Sequence, residues 1–440
     1  MSGTVRTTMG RMTAHLPPKK KSHLHASDLR AITLLATQAT HAVTTLSEGV
    51  HQSVLSTLGA PGGDTAAQTR GLTGLVYHSI HGVTKLVGQG LAAALTRLEP
   101  WLLRLEGPAD ETFERAAVVA ALNGVMGDRL QASGNPLATP MSLRFQGRVL
   151  DVAVMPAATH VSGKLLVVIH GLCMNDLQWN AQHAGEPVNH ASQLAQALGY
   201  TPIYVRYNSG LHVSENGHTL ARQLDDLLLH WPVPVTELSV LAHSMGGLVI
   251  RSAVQSAQLH GWLWPRQLKN IVFLGTPHHG APLERAGNWV DVLLGSTPYS
   301  RPFAKLGQLR SSGVTDLRYG FVLDSDWQGH DRFRRTPDSR TPLPLPDGVN
   351  CFAVAATTAA KRGLLADRLL GDGLVPLRSA LGQHDEVARQ LHFAQEYIAY
   401  RTHHMQLLSS PVVTQQVLAW FGRVQEYPAS HLEIISNVPK

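Results

Sequence analysis

The stretch LSVLAHSMGGLVIRSA, residues 238–253, decides the fold, because an apolar strand passes into a helix at a single serine. A sharp strand-to-helix turn at Ser244 would strain its backbone and lift its hydroxyl above the sheet. Such a turn leaves space only for small residues two positions before and after the serine, which here are Ala242 and Gly246. The stretch therefore predicts Ser244 as a catalytic nucleophile. An ordinary serine N-cap on a helix is the alternative.

Strands and helices alternate on both sides of this turn. We predict strands at 164–169, 201–207, 237–242, 269–275, 350–357 and 392–400, and helices at 190–198, 215–230, 245–258 and 412–421. The strand KLLVVI is almost continuously apolar, which is typical of a strand buried on both faces. Residues 142–154 are predicted to form an antiparallel strand pair that turns at Gly147. The alternation favours an α/β class with a mostly parallel sheet and helices on both faces.

The chain of 440 residues is long enough for two to three domains at about 150 residues each. We predict a flexible basic tail over 1–26, an all-helical region over 27–135, a catalytic domain over 141–426 and a tail over 427–440. Apolar residues recur every three or four positions in the helical region. Residues 281–346 break the alternation and are predicted to be a cap-like insertion, whose apolar residues line an acyl-binding wall or pack its own small core.

Composition excludes several classes of protein. The hydrophobic fraction of 44% excludes a fully disordered chain, and a net charge of +6 over 440 residues is too small for a dedicated nucleic-acid binder. The first 26 residues lack the apolar core of a secretory signal, and no window of about 18 residues is continuously apolar. We therefore expect a cytoplasmic protein without a transmembrane helix. Peripheral membrane contact or a homo-oligomer through helices 27–135 remains open.

Cysteine usage gives no disulfide framework. Cys173 and Cys351 are the only cysteines, and we expect two isolated buried thiols, with a single pairing as the alternative.

A serine hydroxyl is a weak nucleophile without a base, and the base needs a carboxylate to orient it. In a doubly wound hydrolase these residues follow in the order Ser, Asp, His. Asp372 lies between two glycines in GDGLVPLRSA, after the strand that ends near 357, and is the favoured acid. Asp367 and Asp324 are the alternatives.

The base is expected in THHMQLLSS, residues 402–410, between the last strand and the last helix. We favour His404 over His403, because the apolar Met405 and Leu407 should anchor the segment behind His404.

Two backbone N–H groups are expected to bind the oxyanion. One belongs to Leu172, which follows Gly171 in the loop after strand 164–169, and the other to Met245 at the start of the helix. Supporting positions near these groups are His170, Gly171, His243, Gly246, His278 and His279. Ligand contact or metal binding is the alternative for His278 and His279. His78 and His81 lack a visible third ligand, so no metal site is predicted.

The segments HGLCMND, AHSMGG, LGTPHHGAP, GDGLVP and HHMQLL resemble α/β-hydrolases of the lipase and esterase kind. They are similar to bacterial triacylglycerol lipases whose elbow begins with alanine, and to hydrolases like the GPI inositol deacylases. The resemblance covers roughly 141–424. It implies an α/β-hydrolase fold and hydrolysis of a carboxylic ester through an acyl-enzyme, without an organic cofactor. Some such lipases carry a structural Ca²⁺ or Zn²⁺, for which no ligand set is assigned here.

The predicted function is thus a serine ester hydrolase acting on an acyl ester, lipid-like in character. A second hypothesis keeps Ser244, Asp372 and His404 and changes the substrate to an amide, a thioester or a polyester. A third hypothesis, of another class, is a membrane-associated interaction protein. In this hypothesis helices 27–135 carry the function, and the hydrolase scaffold to which they are attached is inactive.

Overall fold

A computed structural model describes residues 27–28, 30–38, 112–151, 161–281, 310–329, 338–360 and 371–425, with side chains as far as 422. The chain divides into two compact units, Met1–Arg115 and Ala116–Lys440. In the first unit, residues 30–38 are helical, and the guanidinium of Arg115 donates two hydrogen bonds to Asp28 at 2.7 and 2.9 Å. The predicted helices between 39 and 111, with His78 and His81, and both predicted tails lie outside the described residues.

The second unit contains an eight-stranded sheet. Its strands are β1 Ser142–Phe145, β2 Arg148–Val149, β3 Lys164–Ile169, β6 Thr201–Arg206, β7 Glu237–His243, β8 Leu268–Leu274, β9 Asn350–Thr357 and β10 Gln395–Tyr400. The order across the sheet is β10-β9-β8-β7-β3-β6-β1-β2, and the six strands from β10 to β6 are parallel. β1 runs antiparallel to β6 and pairs with β2, with the turn at Gly147 as predicted. A separate hairpin joins β4 Ala181–His183 to β5 Glu186–Val188.

From Phe113 onward, the α-helices of the described chain are α1 Phe113–Ala132, α2 His190–Leu198, α3 Val213–His230, α4 Met245–His260, α5 Ser312–Tyr319, α6 Asp324–Trp327, α7 Leu377–Ala380 and α8 Pro411–Gln425. α2 has the predicted bounds. α3 begins at Val213, two residues before the predicted start, and β10 begins at Gln395 rather than at 392.

Apolar cores cover both faces of the sheet. Because successive side chains of a strand point to opposite faces, β3 supplies Leu165, Val167 and Ile169 to the core that contains residues of α3 and α4. Leu166 and Val168 enter the core that contains residues of α2 and α8. The predicted fold class is therefore confirmed: a mostly parallel sheet between two helical layers, the architecture of the α/β-hydrolase fold.

Residues 116–132 of α1 pack on this sheet domain. They belong to the predicted helical region 27–135. Ala121 and Val125 belong to the same core as Leu172. The contact is close because Gly124 has no side chain: a Cβ there would lie 2.2 Å from the Sγ of Cys173. The two compact units divide after Arg115, within the predicted helical region 27–135.

The predicted insertion, 281–346, is described in part. It contains α5 and α6, while 282–309 and 330–337 lie outside the described residues. Cys173 and Cys351 are both buried free thiols, as the sequence favoured.

Candidate active site

Ser244 occupies a sharp turn between β7 and α4. Its backbone has φ 54° and ψ −124°, a conformation that a residue with a side chain adopts only under strain. Its N–H donates to the carbonyl oxygen of Leu274 at 2.8 Å, and its carbonyl accepts from Gly247 at 3.0 Å. The Ser244 side chain makes no capping hydrogen bond to the helix. Ser244 thus occupies the N-cap position of α4 without the side-chain hydrogen bond that an ordinary serine N-cap makes.

The elbow lies close to the end of β3 because of Gly246. A Cβ at this position would lie 2.7 Å from the carbonyl oxygens of Ile169 and His170, well inside van der Waals contact. The close approach of the backbone at Gly246 to the end of β3 therefore explains why a small residue is needed two positions after the serine.

Asp372 and His404 form a buried pair. Nδ1 of His404 lies 2.6 Å from Oδ2 of Asp372, and both side chains are at most 1% exposed. Oδ1 of Asp372 accepts the N–H groups of Leu374 and Val375 at 2.9 and 2.7 Å. The backbone N–H of His404 donates to the carbonyl oxygen of Asp372 at 3.0 Å. These contacts fix the carboxylate and the ring in one mutual orientation, with Nδ1 of His404 facing Oδ2 of Asp372.

Nε2 of His404 is buried and has no hydrogen-bond partner in the described part of the chain. The predicted hydrogen bond from the Ser244 hydroxyl to His404 is therefore not made in this structure. Such bonds are often long without substrate and shorten in the reacting complex.

Gly275 lies between the turn at Ser244 and the Asp372–His404 pair, and it was not predicted as a site residue from the sequence. It has φ +59°, and a Cβ there would lie 3.2 Å from both Oδ2 of Asp372 and Cε1 of His404. The preceding residue, Leu274, is the one whose carbonyl accepts the N–H of Ser244. Gly275, the first glycine of LGTPHHGAP, was the sequence signal that could have identified this position.

The alternative acids and bases lie elsewhere or outside the described chain. Asp324 lies on α6, where Oδ2 contacts Nε2 of His218 at 3.0 Å. His403 is exposed and precedes the 3₁₀ turn His404–Leu408. Asp367 is outside the described residues.

The loop after β3 lies against the serine. A Cβ on Gly171 would lie 3.0 Å from the Cβ of Ser244, and Leu172 and Met245 are both buried. Cys173 has a positive φ of 59°, and its N–H donates to Oγ of Ser209 at 3.0 Å. The two backbone groups predicted to bind an oxyanion thus come from segments that meet beside Ser244.

His170 braces this loop. Nδ1 contacts the carbonyl oxygen of Gly171 at 2.8 Å, and Nε2 accepts the N–H of Tyr207 at 3.3 Å. Burial lowers the pKa of His170 to about 4, so the ring is neutral near pH 7. The rings of His170 and Tyr207 stack at 4.3 Å, and the Tyr207 hydroxyl donates to the His170 carbonyl.

A buried cluster of ion pairs lies at the end of this loop, around Asp176, and it was not predicted from the sequence. Asp176 pairs with Arg206 and, at 3.0 Å, with Arg144, and the Asp176 side chain is only 5% exposed. Arg144 is opposite Tyr204 and Arg206 is opposite Ser142 in the β1–β6 ladder. The two arginines are therefore diagonal neighbours, two positions apart, which no local pattern reveals.

The other predicted supporting histidines divide into two groups. His243 contacts His404: the ring centroids are 4.7 Å apart, and Nε2 of His243 lies 3.3 Å from the His404 carbonyl oxygen. His278 and His279 lie against Arg251 and the carbonyl of Gly382, respectively, rather than against the Asp372–His404 pair. Within the described ranges, no three His, Cys, Asp or Glu residues are placed to hold a metal ion.

Comparisons with known proteins give a match of part of the chain to one family model and a set of similar solved structures. Residues 145–317 match a family model described as a domain of unknown function, DUF7379. No curated protein matches the sequence. Among solved structures, the chain is similar to lipase BlEst2 of Bacillus licheniformis in its propeptide form, with 18% identity and a TM-score of 0.39 over 63% of this chain and 54% of that one. The chain thus spans about half the length of that form.

The mature form of BlEst2 gives 18% identity and a TM-score of 0.38 over 61% of this chain and 95% of that one. A lipase-esterase related protein from Clostridium acetobutylicum gives 13% identity and a TM-score of 0.33 over 60% of this chain and 97% of that one. Among the helices that the structure describes, none is long and apolar enough to cross a bilayer.

Proposed function

We propose that this chain is a serine hydrolase that cleaves carboxylic esters, with Ser244 as nucleophile, His404 as general base and Asp372 as the acid that orients the base. One observation carries the proposal: Asp372 and His404 form a buried 2.6 Å contact, and Nε2 of His404 has no hydrogen-bond partner among the described residues. The pair lies near the strained serine, because His243, the residue before Ser244, contacts His404. A buried carboxylate–imidazole pair with one free nitrogen is suited to accept a proton from a hydroxyl.

In the proposed reaction, Oγ of Ser244 attacks the ester carbonyl carbon and its proton passes to Nε2 of His404. The tetrahedral oxyanion accepts hydrogen bonds from the N–H groups of Leu172 and Met245, and the N-terminus of α4 adds favourable potential. Collapse breaks the bond to the alcohol, which leaves with the proton from His404, and the acyl group stays on Ser244. Water then attacks the acyl-enzyme by the same route, yielding the carboxylic acid and the free serine.

Asp372 stays ionised through this cycle and stabilises the imidazolium that forms at His404. Its Oδ1 is already occupied by two backbone N–H groups, so only Oδ2 is available to the ring. The carboxylate is therefore held in place before substrate arrives, as preorganised catalysis requires.

For the substrate, we propose a lipid-like acyl ester. The resemblance of HGLCMND, AHSMGG and GDGLVP to lipase and esterase segments supports this class. Amide, thioester and polyester substrates use the same three residues, so substrate profiling distinguishes them: p-nitrophenyl esters of increasing chain length, anilides and acyl thioesters offered to the same preparation. The proposed class requires faster turnover of an ester than of the matched anilide and thioester.

Labelling by a fluorophosphonate probe tests the mechanism. The full-length protein should be labelled, and Ser244→Ala should lose labelling while keeping its circular dichroism and melting temperature. Ser192→Ala is the matched control, because Ser192 is an exposed serine on α2, and it should be labelled as the parent is. Undiminished labelling of Ser244→Ala would refute the proposal.

A further inference from the structure

A small cavity lies behind α4 and is separate from the Asp372–His404 pair. Its volume is about 20 Å³, and its charged or titratable lining residues are Arg251, His278, His279, Asp326, Arg340 and Arg389. The remaining lining comes from Gly320, Val322 and the segment Thr341–Leu343. A space of this size holds one particle about as large as a water molecule.

Arg251 brings a buried charge to this cavity without a carboxylate beside it. The residue is 6% exposed, and among the described residues it makes no ion pair within 4.0 Å. One terminal nitrogen donates to the carbonyl of Leu343 and the other lies 3.4 Å from Nδ1 of His278. Nε of Arg251 has no hydrogen-bond partner among the residues that the structure describes. Burial lowers the pKa of Arg251 to about 10, so the guanidinium is still charged near pH 7.

His278 supplies a second donor without an acceptor. Because the Arg251 guanidinium can only donate, Nδ1 of His278 must be the acceptor in their contact. Burial holds the pKa of His278 well below its usual range, so the ring is neutral and its single proton is on Nε2. Nε2 is buried and has no partner. Both orphaned groups, Nε of Arg251 and Nε2 of His278, are therefore N–H donors.

The other two arginines of the cavity are already neutralised. Arg340 donates to Asp338 through Nε and Nη2, and to the carbonyls of His278 and Gly320 through Nη1. Arg389 donates to Glu386, at 2.7 Å, and to the carbonyl of Arg340. The charge that lacks a direct counterion is that of Arg251.

Asp326 does not fill this role. Its Oδ2 accepts the N–H groups of Val322 and Leu323, and its Oδ1 accepts that of Thr341. The carboxylate is thus held by backbone donors. Nδ1 of His279 is also without a partner, but since its Nε2 contacts the Gly382 carbonyl, Nδ1 carries a lone pair. A ligand that accepts hydrogen bonds would lie on the Arg251 and His278 side.

We propose that this cavity binds a single monatomic anion of the chloride class, held between the guanidinium of Arg251 and Nε2–H of His278. Two buried donors and one unpaired positive charge require an acceptor that carries negative charge. A space of about 20 Å³ suits a monatomic anion better than a carboxylate or a phosphate, which are several times larger. A neutral water would satisfy the hydrogen bonds but would leave Arg251 without a negative charge in direct contact, since the Asp326 carboxylate in the cavity wall acts on it only at a distance.

The anion would also connect two parts of the chain. Arg251 lies on α4, the helix that follows Ser244, while Gly320 and Thr341 belong to the insertion. Binding of chloride to the folded state alone would therefore stabilise the attachment of the insertion to α4. By mass action, the melting temperature rises with chloride concentration once the dissociation constant is exceeded.

Halide dependence of the melting temperature tests the site in the full-length protein. At constant ionic strength, replacing sodium gluconate by sodium chloride or bromide should raise the melting temperature by about 2 °C or more. Arg251→Met should abolish the difference between the salts. Arg266→Met is the matched control, because Arg266 is an exposed arginine on a neighbouring turn, and it should keep the full difference. A parent protein indifferent to the anion would overturn the proposal.

Bromide in crystals of the unmutated protein gives a test that does not depend on folding of the variant. An anomalous peak between Arg251 and His278 is expected at bromide concentrations that also shift the melting temperature. Density for water without anomalous signal at that position would refute the anion site, and a peak found only at crystal-soak concentrations would identify an adventitious ion only and refute it equally.

Discussion

Nε2 of His243 lies 3.3 Å from the backbone carbonyl oxygen of His404, and their rings are 4.7 Å apart. The residue that precedes the proposed nucleophile thus contacts the proposed base directly. Since burial holds the pKa of His243 well below its usual range, the ring is neutral, and Nε2 is the donor in this contact.

Replacing His243 by Leu removes that donor at similar volume. We expect kcat for a p-nitrophenyl ester to fall by about 10- to 100-fold with little change in KM, because a small displacement of the base costs rate rather than binding. Steady-state kinetics measure this, with His183→Ala at an exposed position of β4 as control. A parent-like kcat in a folded His243→Leu variant would show that the contact does not position His404.

Asp372→Asn should remove the negative charge that stabilises the His404 imidazolium while preserving the shape of the site. We expect kcat to fall by about 10⁴-fold, as when an orienting carboxylate is neutralised in other serine hydrolases. Asp324→Asn is the matched control, because Asp324 bonds His218 on a different surface and should keep activity within about twofold. Equal losses in both variants would point to a stability effect instead.

The fold was predictable, and the residues of the candidate site could be proposed, because their signals are local. The strand KLLVVI, the turn at Ser244 and the Gly-Asp-Gly loop at Asp372 each depend on residues next to one another in the chain. The order Ser, Asp, His then indicates which loops meet at the same edge of a parallel sheet. His404 was distinguished from His403 by its apolar neighbours, and the structure buries the former and exposes the latter.

The features that were missed depend on contacts between distant segments. Asp176 lies 30 residues from Arg206, and Arg251 lies 27 residues from His278, so no periodicity or spacing connects them. The packing of α1 on the sheet domain depends on Gly124 facing Cys173, which is a property of the assembled core. The Ser244–His404 hydrogen bond, in contrast, was predicted and is not made.

Gly246→Ala should destabilise the protein by crowding the turn between β7 and α4. The added Cβ would lie 2.7 Å from two carbonyl oxygens at the end of β3, and both belong to backbone that cannot move independently. We expect a loss of about 1–3 kcal/mol in the free energy of unfolding, measured by urea denaturation.

Gly422→Ala on α8 is the matched control, because nothing lies within 4 Å of a Cβ there. Alanine in an open helical position should stabilise by about 0.5–1 kcal/mol. If both substitutions have the same effect on unfolding, the close approach at Gly246 is not what limits the size of that residue.

His190 should make the protein sensitive to acid. It is fully buried on α2, where Nε2 contacts the carbonyl oxygen of Leu407 at 2.8 Å and Nδ1 contacts Oγ1 of Thr414 at 2.6 Å. Burial lowers its pKa in the folded state to about 4, while an unfolded histidine titrates near 6.5. Between these values the unfolded chain binds a proton that the folded chain does not, so stability falls as pH falls through this window.

His190→Gln removes this titration. The free energy of unfolding of the parent should decrease relative to the variant by up to about 1.4 kcal/mol per pH unit between about pH 6.5 and pH 4, and the two should run parallel above that range. Urea unfolding at a series of pH values measures the slopes, with His230→Gln at an exposed position of α3 as the control that should retain the parent slope. Identical slopes for the parent and His190→Gln would mean that the ring accepts a proton in the folded state as easily as in the unfolded chain, and hence that burial of His190 does not exclude its charged form.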